Sequence, residues 1–377
     1  MAGSKNSTRS PRTNRRPTSR VGLRRALVAL AVASAQFAIT PGQSEAQSPA
    51  TAPAAATERF EFSQTHMGVR VKVLLYAADQ ATANRGADAV FARFSALDQM
   101  MSDYKPDSEL SRLSAASPCP EGVPVSDSLW FVLSMAQELS ARSDGAFDVT
   151  VGPYVRLWRR SRRQKELPSP ERLREAAAAV GYRHLELDPA GRRVRLLRPT
   201  MRLDLGGIAM GYAVDESLKL LAAAGLRSAL VDASGDIGVG DPPPGEAGWR
   251  IGVAPMVPGG PPSRVLLLSN AAVTTSGDAF QFVEIAGRRY SHIIDPKTGL
   301  GLTDRSAVTV VAPDCVTADS VTKAVLVLGP KSGIELIDAT PGAAAIVVRA
   351  PDGKVETFES ARVKELKFVT TAVSEPK

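Results

Sequence analysis

Cysteine and histidine are scarce in this 377-residue chain, which has two of the first and three of the second. A zinc centre built from thiolates and imidazoles is therefore hard to assemble, and a framework of several disulfides is excluded. Cys119 and Cys315 allow at most one bridge in an oxidising compartment. Aromatic residues are also few, at 5%, and none alternate with basic residues in the stripe that would stack on a nucleic acid. The net charge of +7 invites a polyanion, but eight Lys and Arg against Glu45 place all of that excess in residues 1–46. The remainder is neutral and offers a polyanion no net attraction.

Only one long apolar run occurs, "ALVALAVASAQFAI" at residues 26–39. It is too short for a comfortable membrane span. A basic stretch precedes it and "SEA" follows, ending at Ala46, so residues 1–46 read as a cleaved signal peptide and the protein as exported, periplasmic or otherwise extracytoplasmic. Arg24-Arg25 fits a twin-arginine signal, a Sec signal fits equally, and an uncleaved anchor is the competing reading. With no cysteine nearby the chain is not a lipoprotein, and no stable membrane span is expected after cleavage.

Residues 47–58 are rich in Ala, Pro, Ser and Thr and read as a flexible linker. A folded domain is expected over 59–362, with 363–377 as a tail. "VRVKVLLY" (69–76) has strand character, and Ala87, Val90, Phe91, Phe94, Leu97 and Met101 recur at helical spacing over 84–101. Ser126 is placed to cap a helix that buries Leu129, Val132, Leu133 and Ala136. Pro170 and Gly181 bracket another helix, followed by strand, turn and strand in "HLELDPAGRRVRLL". A short strand then leads through "LGG" into a helix closed by Gly225. "SALVDA" reads as a strand, and a last helix starts near Ala318. Strands and helices mix without regular alternation, so the fold class is α+β: a single domain of mixed sheets and helices, with two lobes around a cleft as a variant.

"DLGGIAMGY" (204–212) carries Gly206, Gly207 and Gly211 where a chain enters a helix. Either the free N–H groups there face a phosphate, or the glycines serve tight packing. In "ASGDIGVG", Asp236 caps a turn or orients a ligand. "YSHIIDPKTG" holds His292 beside a Pro296 turn, as a general base or as a structural histidine.

These stretches stand in one order: "HMGVRV", "MSDYKPDSELSRL", "DGAFDVTVGPYVRLW", "DLGGIAMGYAVD", "SGDI", "TSGD", "HIIDPKTG" and "ADSVTKAVLVLG". Together they resemble the FAD:protein FMN transferases, the ApbE family, from about residue 60 to about 360. The resemblance implies transfer of FMN from FAD to a Thr or Ser hydroxyl of an exported acceptor flavoprotein, with release of AMP. Within the same fold, a protein that only binds FAD and an FAD pyrophosphatase are the alternatives. It also implies Mg²⁺ on the pyrophosphate, where a divalent cation would offset the charge on phosphoryl group and leaving AMP.

Carried across by motif, Met67, Tyr104, Ala146, Phe147, Asp148, Gly206, Tyr212 and Ile293 are the implied FAD contacts, and His292 and Asp278 the implied catalytic residues. Ala209 through its carbonyl and Asp319 through its carboxylate match metal ligands. The family's next ligand is a hydroxyl four residues after the acid, and here that position is Lys323, with Thr322 beside it. An ammonium has donors and no lone pair, so it ligates no metal. Lys323 then either places its own charge against the pyrophosphate, or gives way to Thr322, or merely pairs with Asp319 at i,i+4.

Overall fold

The structure is a computed structural model and describes residues 57–253, 262, 264–277 and 281–369. Residues 1–46, read above as a signal peptide, most of the expected linker and Asp278 lie outside the described residues. The chain opens with β1 (Glu58–His66), β2 (Val69–Ala77), α1 (Gln80–Met101), α2 (Glu109–Ala115), β3 (Cys119–Pro124), α3 (Asp127–Arg142), α4 (Gly152–Gln164) and α5 (Pro170–Ala177). Next come β4 (Leu185–Asp188), β5 (Arg193–Leu196), α6 (Ala209–Ala223), β6 (Ala229–Ala233), β7 (Asp236–Val239), β8 (Trp249–Gly252), β9 (Val265–Leu268) and β10 (Ala271–Gly277). It ends with β11 (Phe282–Ile285), β12 (Arg288–Ser291), β13 (Ser306–Ala312), α7 (Cys315–Asp338), β14 (Ala344–Arg349), β15 (Glu356–Glu359) and β16 (Phe368–Val369).

Eight strands form one sheet in the order β1-β2-β6-β7-β10-β13-β14-β15, antiparallel at every pairing. Side chains alternate across such a strand, and β2 shows the consequence. Val71, Val73 and Leu75 enter the main core with residues of α1, α6 and α7. Leu74 points the other way and joins Trp249, Ile251, Leu266 and Leu268 of the small β8-β9-β16 sheet. The sheet is thus covered by helices on one face and by a second sheet on the other. The described residues all belong to one compact unit, with no division into two lobes among them.

Local chemistry sets the helix starts. Asp79 accepts the Thr82 N–H and begins α1 a turn before the apolar pattern does. Ser126 caps α3 as its sequence suggests. Asp314 caps α7, which starts at Cys315 and breaks at Gly329-Pro330, where Gly329 takes φ 76°. Residues 363–369 close the fold: Val363 is buried and β16 pairs with β9. The two cysteines are both buried and free.

Candidate functional site

The loop before α6, the segment after β12, helix α4 and helix α7 converge on a cleft. It comprises two cavities of about 240 and 600 Å³ that share Tyr104, Gly206 and Gln281. The second falls in the range of roughly 300–1,000 Å³ usual for small-molecule sites, and the first lies just below it. Ala146, Phe147, Asp148, Gly207, His292, Ile293 and Lys323 line the first, and Met67, Ala209 and Met210 the second. Motifs more than two hundred residues apart are therefore brought to one place.

His292 follows β12 and is fixed from two sides. Its backbone N–H and its Nδ1 both lie 3.1 Å from the Gln281 carbonyl. A carbonyl only accepts, so Nδ1 carries the proton and the neutral ring keeps Nε2 as an acceptor. Burial pushes the His292 pKa down to about 4, opposed by the Gln281 hydrogen bond and helped by the charges of Lys323 and Arg162. The ring is consequently neutral at pH 7. The turn behind it is held by Asp295, whose carboxylate accepts the Lys297 N–H at 2.9 Å. Gly299 sits at φ 72° against Tyr154, where a Cβ would lie 2.5 Å from the ring.

Tyr104 remains 75% exposed although the Arg159 guanidinium lies 3.8 Å from its ring centroid. One face of the ring is occupied and the other stays open to a planar ligand. Arg159 in turn bridges Asp103 at 2.6 Å and Asp204 at 3.4 Å. Asp204 is pushed above the usual carboxylate range by burial and by Asp103, against the Gly206 N–H and Arg159. Through that N–H, at 2.9 Å, Asp204 shapes the glycine loop.

Several implied ligands take other roles. Tyr212 lies outside this cleft: its ring packs at 5.3 Å on Phe131 and its hydroxyl donates to Ser128. The Asp148 side chain is committed to the scaffold, accepting the N–H and hydroxyl of Thr150 and the N–H of Tyr182 at 2.7–2.8 Å. The glycines divide in function. Gly206 and Gly207 line the cleft, whereas Gly211 packs α6 on α7, where a Cβ would lie 2.4 Å from the Cys315 carbonyl oxygen. Asp236 begins β7 after a two-residue turn in which Ser234 and Gly235 both have positive φ. Burial and the neighbouring Asp319 raise its pKa to about 7, against Lys323 and a Thr274 hydrogen bond.

Arg159, Arg162, Trp158, Asp204 and Gln281 also line the cleft and were not singled out from sequence. Nothing local distinguishes a cleft arginine from the surface arginines beside it in "RLWRRSRR". The Trp158 Nε1–H is buried without a partner among the described residues and is a donor at the cleft wall.

The implied metal ligands do not fit a cation as they stand. Asp319 is 1% exposed; one carboxylate oxygen accepts the Gly211 N–H at 3.0 Å and the other takes the Lys323 ammonium. Thr322 is fully buried, and its hydroxyl contacts the Asp319 carbonyl at 2.6 Å and the Ser276 hydroxyl at 3.1 Å. It does not line the cleft. Ala209 is the first residue of α6, and its carbonyl alone makes no divalent site. Among the described residues no three His, Cys, Asp or Glu side chains are grouped to hold a metal.

The ApbE family model matches residues 67–347. The chain is 31% identical over 314 residues to the FAD:protein FMN transferase of Haemophilus influenzae, covering 81% of this chain and 91% of that protein. It is 32% identical over 332 residues to the FAD:protein FMN transferase of Treponema pallidum, with 82% and 91% covered. Its fold is similar to the crystal structure of the flavinyl transferase ApbE of Pseudomonas stutzeri in its apo form, with TM-score 0.73, 32% identity, and 82% and 97% of the two chains covered. The chain belongs to the ApbE family.

Proposed function

We propose that the cleft binds FAD and that the chain transfers FMN from it to a Thr or Ser hydroxyl of an acceptor protein. The relatives named FAD:protein FMN transferase support the reaction class. The observation that carries it to named atoms is the His292 tautomer: with Nδ1 held by the Gln281 carbonyl, Nε2 is an acceptor at the cleft. The acceptor hydroxyl gives its proton to Nε2 while its oxygen bonds to the FMN phosphorus. The bond from that phosphorus to the bridging oxygen breaks, and its electron pair leaves with AMP. Position and charge do most of the work in such a transfer. The open face of Tyr104 suits a flat ring, and the glycine loop and cations suit the phosphates.

The leader and the neutral remainder of the sequence support an exported enzyme and an exported acceptor. Among the described residues no helix is long and apolar enough to cross a membrane. Asp278 lies outside the described residues and receives no role.

Incubating the purified protein with FAD and an exported flavoprotein candidate tests the reading. Covalent flavin on the acceptor supports it; FMN and AMP without covalent flavin indicate a pyrophosphatase, and unchanged FAD a binding protein. His292→Ala is expected to slow transfer about 10²- to 10⁴-fold while leaving FAD affinity nearly unchanged. A variant that transfers at the wild-type rate removes His292 as the base.

A further inference from the structure

Lys323 has an unusual position for a lysine. Its side chain is 16% exposed and lies on α7 among Val321, Thr322, Ala324 and Val325, all buried. The stem passes the glycine loop: a Cβ on Gly207 would lie 3.4 Å from Lys323 Cγ and equally close to the Phe147 ring. Its ammonium engages the buried Asp319 carboxylate, and Lys323 is still part of the cleft wall. A surface ion pair would contribute almost nothing to a ligand, but a charge held in a partly desolvated wall is weakly screened.

The surroundings point to an anion. The Gly206-Gly207 loop and the start of α6 meet Lys323 at the same cleft. The N–H groups of Gly206, Ile208, Ala209 and Gly211 are engaged within the protein, so a phosphate here meets the positive end of the α6 dipole, and a fixed ammonium adds a full charge to that partial one. Burial disfavours the ammonium, and the neighbouring Asp319 and Asp236 carboxylates favour it. A divalent ion at Asp319 would have to displace that ammonium and then sit beside it. Two like charges a few ångströms apart in a partly buried site repel strongly because little solvent screens them.

We infer that Lys323, anchored by Asp319, is a resident cation that takes the FAD pyrophosphate in place of a divalent metal, so that FAD binds without Mg²⁺. The inference rests on the FAD reading above. It makes the Lys323 anchor specific to this chain's own residues and leaves the phosphoryl chemistry with fixed side-chain charge rather than an exchangeable ion.

Calorimetric titration of the full chain with FAD, in EDTA and in Mg²⁺, tests it. The affinities are expected to agree within about twofold. Lys323→Met is expected to weaken FAD roughly tenfold or more in both buffers, as loss of a charged contact does. Lys323→Thr, which frees Asp319 and adds a hydroxyl, should make binding respond to Mg²⁺. If Lys323→Met fails to fold because Asp319 is left bare, the Asp319→Asn/Lys323→Met pair removes both charges and should show the same weakening. Wild-type binding that falls about tenfold or more on chelation overturns the inference alone. Wild-type affinity retained in the double variant does so too. No FAD binding in either buffer overturns the FAD reading, and this inference with it.

Discussion

Helices α6 and α7 are tied together twice, by carboxylates that reach in opposite directions. Asp215 on α6 accepts the N–H groups of Cys315 and Val316, at 2.7 and 2.8 Å, where α7 begins. Asp319 on α7 accepts the Gly211 N–H on α6 at 3.0 Å. The ties differ in what completes them. Asp319 also holds the Lys323 ammonium, whereas Asp215 relies on backbone amides and the more distant charge of Lys219. Burial accordingly raises the Asp215 pKa to about 7, against those two N–H groups, with the Asp314 carboxylate adding to the rise. Similar helix clamps thus serve different ends: one holds the helices and can take up a proton, and the other holds a charge in the cleft wall.

The largest expected effect comes from cutting the charged tie. Asp319→Ala leaves a mostly buried ammonium unpaired and the Gly211 N–H without its acceptor, which should cost about 3–5 kcal/mol in urea unfolding. A loss below that of Asp215→Asn would show that the ammonium does not distinguish the two ties. Gly211→Ala strikes the contact between them. Its Cβ would lie 2.4 Å from the Cys315 carbonyl oxygen and 2.8 Å from Asp319 Cβ, and backbone cannot yield cheaply. Forcing the helices apart should cost roughly 1–3 kcal/mol and weaken both ties.

Asp215→Asn has a smaller effect, expressed in pH dependence. The folded-state pKa near 7 stands above the ordinary 3.8. Between those values the folded chain keeps a proton that the unfolded chain releases, so this group's contribution to stability falls as pH rises from about 4 to 7. His292 acts oppositely, because its folded pKa of about 4 lies below 6.5 and stability rises with pH between them. That contribution is common to both proteins and cancels in their difference. The variant should lie within about 1 kcal/mol of wild type at about pH 4 and below, where Asp215 is protonated in the folded chain and in much of the unfolded one. Towards pH 8 the wild type should lose stability relative to it, which urea denaturation at the two pH values would reveal.

How much of this was legible depended on whether a signal was local. The apolar spacing from Ala87 to Met101 announced α1, but its first turn, Gln80–Ala83, is mostly polar and small and became helix through the Asp79 cap. Helix α4 carries no clear sequence signal, because its arginines obscure the buried stripe of Tyr154, Trp158 and Ser161. Ordered motifs brought Met67, Tyr104, Phe147, Gly206 and His292 together correctly in space. The Tyr212 side chain lines another cavity, since a motif fixes a chain position and not the direction of a side chain. For Asp319 and Lys323 the i,i+4 spacing was plain, but spacing alone does not separate an exposed pair from a buried one. The apolar residues all round that part of α7 were the available sign of burial.

The smallest effect tests whether the two ties differ electrically at the cleft. The Lys323 charge is one of the influences that lower the His292 pKa, although burial is the largest. Lys323→Met should therefore raise that pKa from about 4 without restoring it to the ordinary 6.5. Asp215 lines a different cavity, with Phe131, Tyr212 and Asp314, so Asp215→Asn should leave His292 where it is. Proton NMR titration can follow the ring, since the chain has three histidines and His292→Gln identifies the signal. Equal shifts in both variants would mean that His292 responds to loosening of the α6–α7 contact rather than to the ammonium. A rise confined to Lys323→Met would instead mean that the cation in the cleft wall adds to burial in holding the imidazole pKa down, linking the binding of one part of the ligand to the proton acceptor at another.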